Sequence, residues 1–255
     1  MMKPKLLLLA AAGMTAGCTT HYQIADVSRQ RIVIDSRYER TPDAKTAAFM
    51  SPYNQKVDSM RGPVIGQAAR SMEVQKPESE LSNLYSDILL WAAKDYGEQP
   101  AFGVHNVGGI RAALTKGPVT FGDINEMSPF ENKIAFTTLS GAKVTELFKQ
   151  IAKRGGEGVS RGVELLISAD GQLLSARLNG KEIEPNKDYR VVTVDYIVQG
   201  NDGMPAFCDG TDLVSPQNEN DNMRYIIARY FKMMAAQGKA VDAQLEGRIR
   251  IVDGL

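Results

Sequence analysis

Histidine and cysteine are scarce in this 255-residue chain, which holds two of each: His21 and His105, Cys18 and Cys208. A hydrolytic metal centre needs several histidine, aspartate, glutamate or cysteine ligands converging on one point, so a histidine-rich dimetal site is excluded by count alone. A serine triad would have to use His105, because His21 falls in the N-terminal tether; a general acid or base at His105 stays open. Lysine plus arginine equals aspartate plus glutamate at 30 each. No overall field therefore draws the chain to a nucleic acid polymer or an acidic membrane surface, and an anion site must be built locally. No apolar run reaches the roughly 20 residues that a spanning helix needs. The glycine run Gly155-Gly156-Glu157-Gly158, followed by Gly162, has neither dinucleotide-loop spacing nor the lysine–serine or lysine–threonine pair of a P-loop; it reads as a flexible helix exit.

What is present begins with a leader. Lys3 and Lys5 precede Leu6-Leu7-Leu8-Leu9-Ala10-Ala11-Ala12, and the small residues Thr15-Ala16-Gly17 lead to Cys18. This reads as a signal peptide over 1–17, with a bacterial lipobox that makes Cys18 the lipidated first residue. A plain signal peptide cut near Ala16 is the alternative. With Cys18 acylated, Cys208 has no partner for a disulfide and reads as a packed thiol. Residues 18–34 form the lipidated tether and a first short strand, Ile32-Val33-Ile34. The expected location is the bacterial cell envelope, lipid-anchored, facing the periplasm or the surface.

With 43% hydrophobic and 24% charged residues, the remainder has ordinary globular composition. Apolar spacing predicts an amphipathic helix over 44–60, interrupted at Pro52, then a strand from Val64 and a helix over 81–96. On that helix Trp91 and Tyr96 are expected to pack rather than to meet a ligand. Residues 119–126 read as a strand and a helical turn, 133–139 as a strand, and 142–154 as a helix with Val144, Leu147, Phe148 and Ile151 on one side. Residues 163–168, 173–178 and 189–193 read as a three-strand meander, joined in part by the turn dipeptides Asp170-Gly171 and Asn179-Gly180. A helix over 221–237 and a closing strand over 247–252 complete the pattern.

Loops at strand ends carry the chemistry. In His105-Asn106-Val107-Gly108-Gly109-Ile110-Arg111, paired glycines let the backbone approach a ligand, while Asn106 and Arg111 flank it with an amide and a fixed cation. An ordinary turn is the competing reading. Phe130 follows Pro129 just before a strand; pattern alone favours a core position for it. Asn106, Arg111, Phe130, Asn132, Tyr196 and Asp202 are a binding set rather than a catalytic one, suited to a flat ring bearing hydroxyls.

Asn-x-Gly-Gly-Ile-Arg at 106–111, Pro-Phe-x-Asn at 129–132, Leu-Ser-Gly at 139–141, and Tyr-x-Val-Val-Thr-x-Asp-Tyr with Gly-x-Asp-Gly at 189–203 together resemble the C-terminal domain of the 5'-nucleotidase family. Leu81-Ser82-Asn83-Leu84 through Asp87 resembles that domain's first helix, so the likeness covers residues 35–252. The resemblance implies a single α/β domain with mixed β-sheets and flanking helices. It implies a nucleoside or nucleotide ligand: Phe130 and Tyr196 on the base, Asn106 and Asn132 at its edge, Asp202 on the ribose hydroxyls, Arg111 at ribose or phosphate, and Gly108 and Gly109 in the approaching backbone. No catalytic residue, metal ligand or cofactor is expected in this chain. In the family a calcineurin-like domain carries the metals, and this sequence shows none, so a separate metallophosphatase chain holding divalent metals is the expected partner. An autonomous nucleoside-binding lipoprotein and a structural envelope protein with a vestigial pocket are the alternatives. Two departures stand out. Asn201 replaces a family glycine in a turn where asparagine tolerates a left-handed backbone, and no arginine occupies the family's position upstream of the first helix, where only Arg70 and Lys76 lie near. Nucleoside recognition is therefore expected to be better retained than phosphate recognition.

Overall fold

In the computed structural model, which describes residues 22–40 and 42–252, the strong periodicities become elements and the weak ones do not. The signal peptide, Cys18 and His21 lie outside the described residues. Residues up to Met50 and those from Ser51 onward form two separate units. In the first, Ile32, Val33 and Ile34 are exposed and irregular rather than a strand; among the described residues no neighbour supplies the ladder that a strand requires. Helix α1 (Ala44–Arg61) runs through Pro52 without the expected interruption and has no buried residue.

The second unit opens with β1 (Val64–Ala68) and α2 (Glu80–Ala92). Ser79 caps α2, accepting from Ser82 N–H while the Ser82 hydroxyl accepts from Ser79 N–H. Leu81, Leu84, Ile88 and Leu89 lie buried along it, and a tight turn over Ala93–Tyr96 ends it. Trp91 packs edge-on to Tyr230, and Tyr96 packs on Phe136 while its hydroxyl donates to Asp221 at 2.9 Å. Then come β2 (Phe102–His105), β3 (Gly117–Thr120), α3 (Phe121–Met127), β4 (Ile134–Ser140) and α4 (Gly141–Lys153). The chain continues through β5 (Gly158–Val159), β6 (Val163–Ser168), β7 (Leu173–Leu178), β8 (Lys181–Glu182), β9 (Asp188–Val194) and α5 (Asp195–Val198). It closes with β10 (Thr211–Val214), α6 (Met223–Ala236) and β11 (Ile249–Val252).

Three sheets result: β1 with β3, a five-stranded sheet in the order β10-β4-β9-β2-β5, and a four-stranded sheet in the order β11-β6-β7-β8. Both larger sheets are mixed, with β2 parallel to β9 and β11 parallel to β6. The expected meander is corrected at its third strand. Asn179 and Gly180 take φ of 52° and 75°, the left-handed pair of a tight hairpin, so the chain turns at once into β8. β9 leaves for the larger sheet.

The predicted stripe on α4, Val144, Leu147, Phe148 and Ile151, is fully buried, with Phe148 5.4 Å from Phe102 of β2. Replacing Phe148 with alanine is expected to cost about 3–5 kcal/mol, read as a lower denaturation midpoint; a loss under about 1 kcal/mol would mean that α4 does not pack on the sheet as described.

Candidate functional site

Strand direction decides where the loops meet. β2 and β9 run parallel in register Phe102↔Val191, and β4 is antiparallel to β9 with Ile134 opposite Val194. The ends of β2 and β9 and the start of β4 therefore share one edge of the sheet, the side on which open α/β sheets place ligands. Residues 106–111, 128–133 and 195–204 all leave from that edge.

Asn106, Gly108, Gly109, Arg111, Phe130, Asn132, Tyr196 and Asp202 line a single cleft of about 330 Å³, at the lower end of the ~300–1,000 Å³ typical of small-molecule sites. Asn106 is 3% exposed, and its Nδ2 donates to Asp202 Oδ2 at 2.6 Å. The Tyr196 hydroxyl donates to Asp202 Oδ1 at a longer 3.4 Å. Arg111 lies over the Phe130 ring, 5.9 Å from its centroid, and donates to the Gly108 carbonyl at 3.3 Å. Phe130 is 46% exposed and Tyr196 38%. Phe130 is therefore not the core residue that its pattern suggests; it sits ahead of β4, outside the sheet. One cation and one carboxylate leave the lining without net charge.

Backbone geometry narrows the choice of residues. A Cβ on Gly109 would stand 2.9 Å from Asn106 Oδ1 and 3.0 Å from the His105 ring, so a larger residue there would push the Asn106 amide and the His105 ring out of place. Asp202, not Asn201, takes the left-handed conformation, at φ 52°. Asn201 instead ties the turn back, donating from Nδ2 to the Tyr196 carbonyl at 2.8 Å.

Supporting residues that the sequence reading passed over lie behind the lining. Arg224 of α6 donates to the Pro129 carbonyl at 2.8 Å and to Asn125 Oδ1 at 3.0 Å, fixing the approach to Phe130. Asp195 accepts from Lys133 N–H at 3.1 Å, joining the loops before β4 and after β9. Glu157, inside the glycine run, accepts from Val107 N–H at 2.6 Å. That run is buried at Gly156, Glu157 and Gly158, which corrects its reading as a flexible exit. Cys208 is exposed rather than packed. Neither cation near the family's upstream arginine lines the cleft: Arg70 pairs with Asp242 at 2.6 Å, and Lys76 with Glu157 at 2.9 Å.

His105 and Ser160, the two side chains with an enzyme-like sequence context, are both buried outside the cleft lining. His105 is 3% exposed and stands edge-on to Tyr85. Burial lowers its pKa to about 4, so it is neutral at neutral pH and faces the core. One motif escaped the sequence reading: Gly158-Val159-Ser160-Arg161-Gly162 has the glycine-x-serine-x-glycine spacing of a nucleophile elbow, but the segment joins two strands rather than a strand to a helix. Ser160 is fully buried, and its hydroxyl accepts from Gly103 N–H at 2.8 Å. Among the described residues no three His, Cys, Asp or Glu side chains cluster as metal ligands.

A mixed-sheet α/β domain with a neutral, aromatic-bearing cleft at its strand ends has the architecture of a small-molecule-binding domain. A family model described as the 5'-nucleotidase C-terminal domain matches residues 64–209, and the chain belongs to that family. It is similar to the trifunctional nucleotide phosphoesterase protein YfkN of Bacillus subtilis, 24% identical over 239 residues, which covers 86% of this chain and 16% of that protein. Cell wall protein Lmo0130 of Listeria monocytogenes is 24% identical over 235 residues, 82% of this chain and 29% of that one. The crystal structure of a 5'-nucleotidase precursor from Thermus thermophilus superposes with a TM-score of 0.69 at 25% identity, covering 85% of this chain and 45% of its own. The chain thus spans less than half the length of each.

The lowered pKa of His105 has a consequence for stability. Between its folded value of about 4 and its unfolded value of about 6.5, the unfolded chain binds the extra proton. Stability present above pH 6.5 is therefore lost as pH falls toward 4, by on the order of 3 kcal/mol. A His105→Gln variant is expected to show a shallower fall of melting temperature across that window; an equal fall in both proteins would contradict the assignment.

Proposed function

We propose that this chain is the nucleoside- or nucleotide-binding half of a 5'-nucleotidase in nucleotide salvage. A separate calcineurin-like metallophosphatase chain holds the divalent metals and performs the hydrolysis, and a lipid on Cys18 holds this half at the bacterial cell envelope. The observation that carries the reading is the meeting of two part-exposed aromatics, Phe130 and Tyr196, with Asn106 and Asp202 in one cleft. In this reading the rings stack on the base and Asn132 meets its edge. Asp202 uses its remaining acceptor capacity for the ribose diol, because Asn106 and the longer Tyr196 contact each take only one acceptor site on its two oxygens. Arg111 reaches the ribose or phosphate. With Arg70 and Lys76 committed to carboxylates, the 5'-phosphate adds little affinity. The nucleotide phosphoesterase and 5'-nucleotidase names of the relatives support the ligand class. A cell wall relative supports the envelope placement. No helix among the described residues is long and apolar enough to cross a membrane.

Adenosine is expected to bind in a calorimetric titration. Phe130→Ala and Tyr196→Ala should each weaken binding by at least about 0.5–1.5 kcal/mol, the share that stacking adds beyond burial; unchanged affinity in the double variant removes this site. Phosphate release from AMP is expected only when the chain is mixed with its phosphatase partner. Release by the chain alone with divalent metal would contradict the division of labour.

A further inference from the structure

We infer that Glu157 is a positioning residue for the cleft: its buried carboxylate holds the Gly-Gly loop in its binding geometry through the backbone of Val107. The inference rests on the nucleoside reading of the cleft and adds a residue outside the lining. β5 pairs antiparallel with β2, Val104 opposite Val159 and His105 opposite Gly158. The residue before β5 therefore faces the residues just after β2, and Glu157 Oε2 accepts the Val107 N–H at 2.6 Å. Val107 begins the short turn Val107–Gly109. Its N–H is one of the first-turn donors that have no carbonyl partner within the turn itself. Glu157 supplies that partner 50 residues along the chain.

A carboxylate, not any acceptor, is what the geometry calls for. The Glu157 side chain is fully buried, and its Oε1 accepts from Arg154 Nε at 2.6 Å and from Lys76 Nζ at 2.9 Å, with both cations about one-third exposed. Lys76 also donates to the Arg154 carbonyl at 2.8 Å. A buried anion is tolerated when it is paired and hydrogen-bonded on both oxygens, as here. A glutamine could not replace it. One end of its amide would have to be NH₂, set either against Val107 N–H or against Lys76 and Arg154, donor against donor in both orientations. Asn106, Gly108, Gly109 and Arg111 all lie on the loop that this contact anchors, so half of the cleft lining moves with it.

The test compares Glu157→Gln with Glu98→Gln in the full chain. Glu98 forms a similarly shielded pair with Arg190 at 2.6 Å and touches no lining residue. Adenosine affinity is measured by calorimetry below both melting transitions, and exchange of the Val107 amide by NMR. In Glu157→Gln, affinity is expected to fall about tenfold and Val107 exchange to rise about tenfold, in line with a lost charge-assisted bond. Glu98→Gln should lower the melting temperature and leave both readouts unchanged. Lys76→Gln, at a part-exposed position, should shift both readouts in the same direction by less, which keeps the test open if Glu157→Gln does not fold. Wild-type affinity in Glu157→Gln, or an equal loss in Glu98→Gln, overturns the positioning role. If the wild-type chain binds no adenosine, it is the nucleoside reading that fails, and Val107 exchange then decides whether Glu157 anchors the loop.

Discussion

The parallel pairing of β2 with β9 is the constraint on which the cleft depends. Two strands running the same way finish at the same edge of the sheet, and the antiparallel neighbour β4 begins there, with Ile134 opposite Val194. Had β9 stayed in the four-stranded sheet beside β7, Tyr196 and Asp202 would leave from a different surface from Asn106 and Phe130. The frame that enforces the arrangement is rigid: Phe102, Val104, Ile134, Phe136, Val191, Val192 and Val194 are all fully buried. Interiors packed at crystal-like density resist displacement, so the loops outside them can be shaped for a ligand without loss of the scaffold.

Shaping them has costs that remain visible. Phe130 and Tyr196 leave aromatic surface exposed within the same cleft. Asp202 sits in a left-handed conformation that L side chains other than asparagine and aspartate seldom adopt. Asn106 Oδ1 is buried with no hydrogen-bond partner, and so is His105 Nδ1. Similar features occur singly elsewhere, as at Thr193 Oγ1 in β9 and at the left-handed Asn179 and Asp212, but at this edge several meet around one cleft, as functional sites commonly do. The offsetting contacts are short and charge-assisted. Asn106 to Asp202 and Val107 to Glu157, both at 2.6 Å, fix the two sides of the cleft, so less ordering remains to be done when a ligand binds.

Local signals in the sequence were readable because their partners lie within a few residues. The Val144, Leu147, Phe148 and Ile151 stripe needs only helical period, and Asn179-Gly180 needs only its own φ angles. The cleft residues were readable as aromatic, amide and charged side chains in strand-end loops, and the family motifs added their individual roles; pattern placed Phe130 in the core, and the start of β4 at Ile134 and the Arg224 bond to Pro129 put it outside. Ile32-Val33-Ile34 had strand-like composition but, among the described residues, has no neighbour to pair with. Glu157 was hidden because its partner is set by β2–β5 register, which no local spacing reports. Ser160 had an enzyme's spacing and a buried structural role, a distinction made by its strand-to-strand setting and its burial. Cys208, exposed beside the Gly200 turn, carried no local sign of its environment.

The central claim is that Asp202 reads a ribose at the end of β9. The direct measurement is a calorimetric cycle of adenosine and 2',3'-dideoxyadenosine against the wild-type chain and Asp202→Asn, a change that preserves tolerance of the left-handed backbone. Wild type should prefer adenosine by about tenfold, the worth of hydrogen bonds to a charged group, and Asp202→Asn should lose most of that preference. An undiminished preference for adenosine in Asp202→Asn would contradict the account.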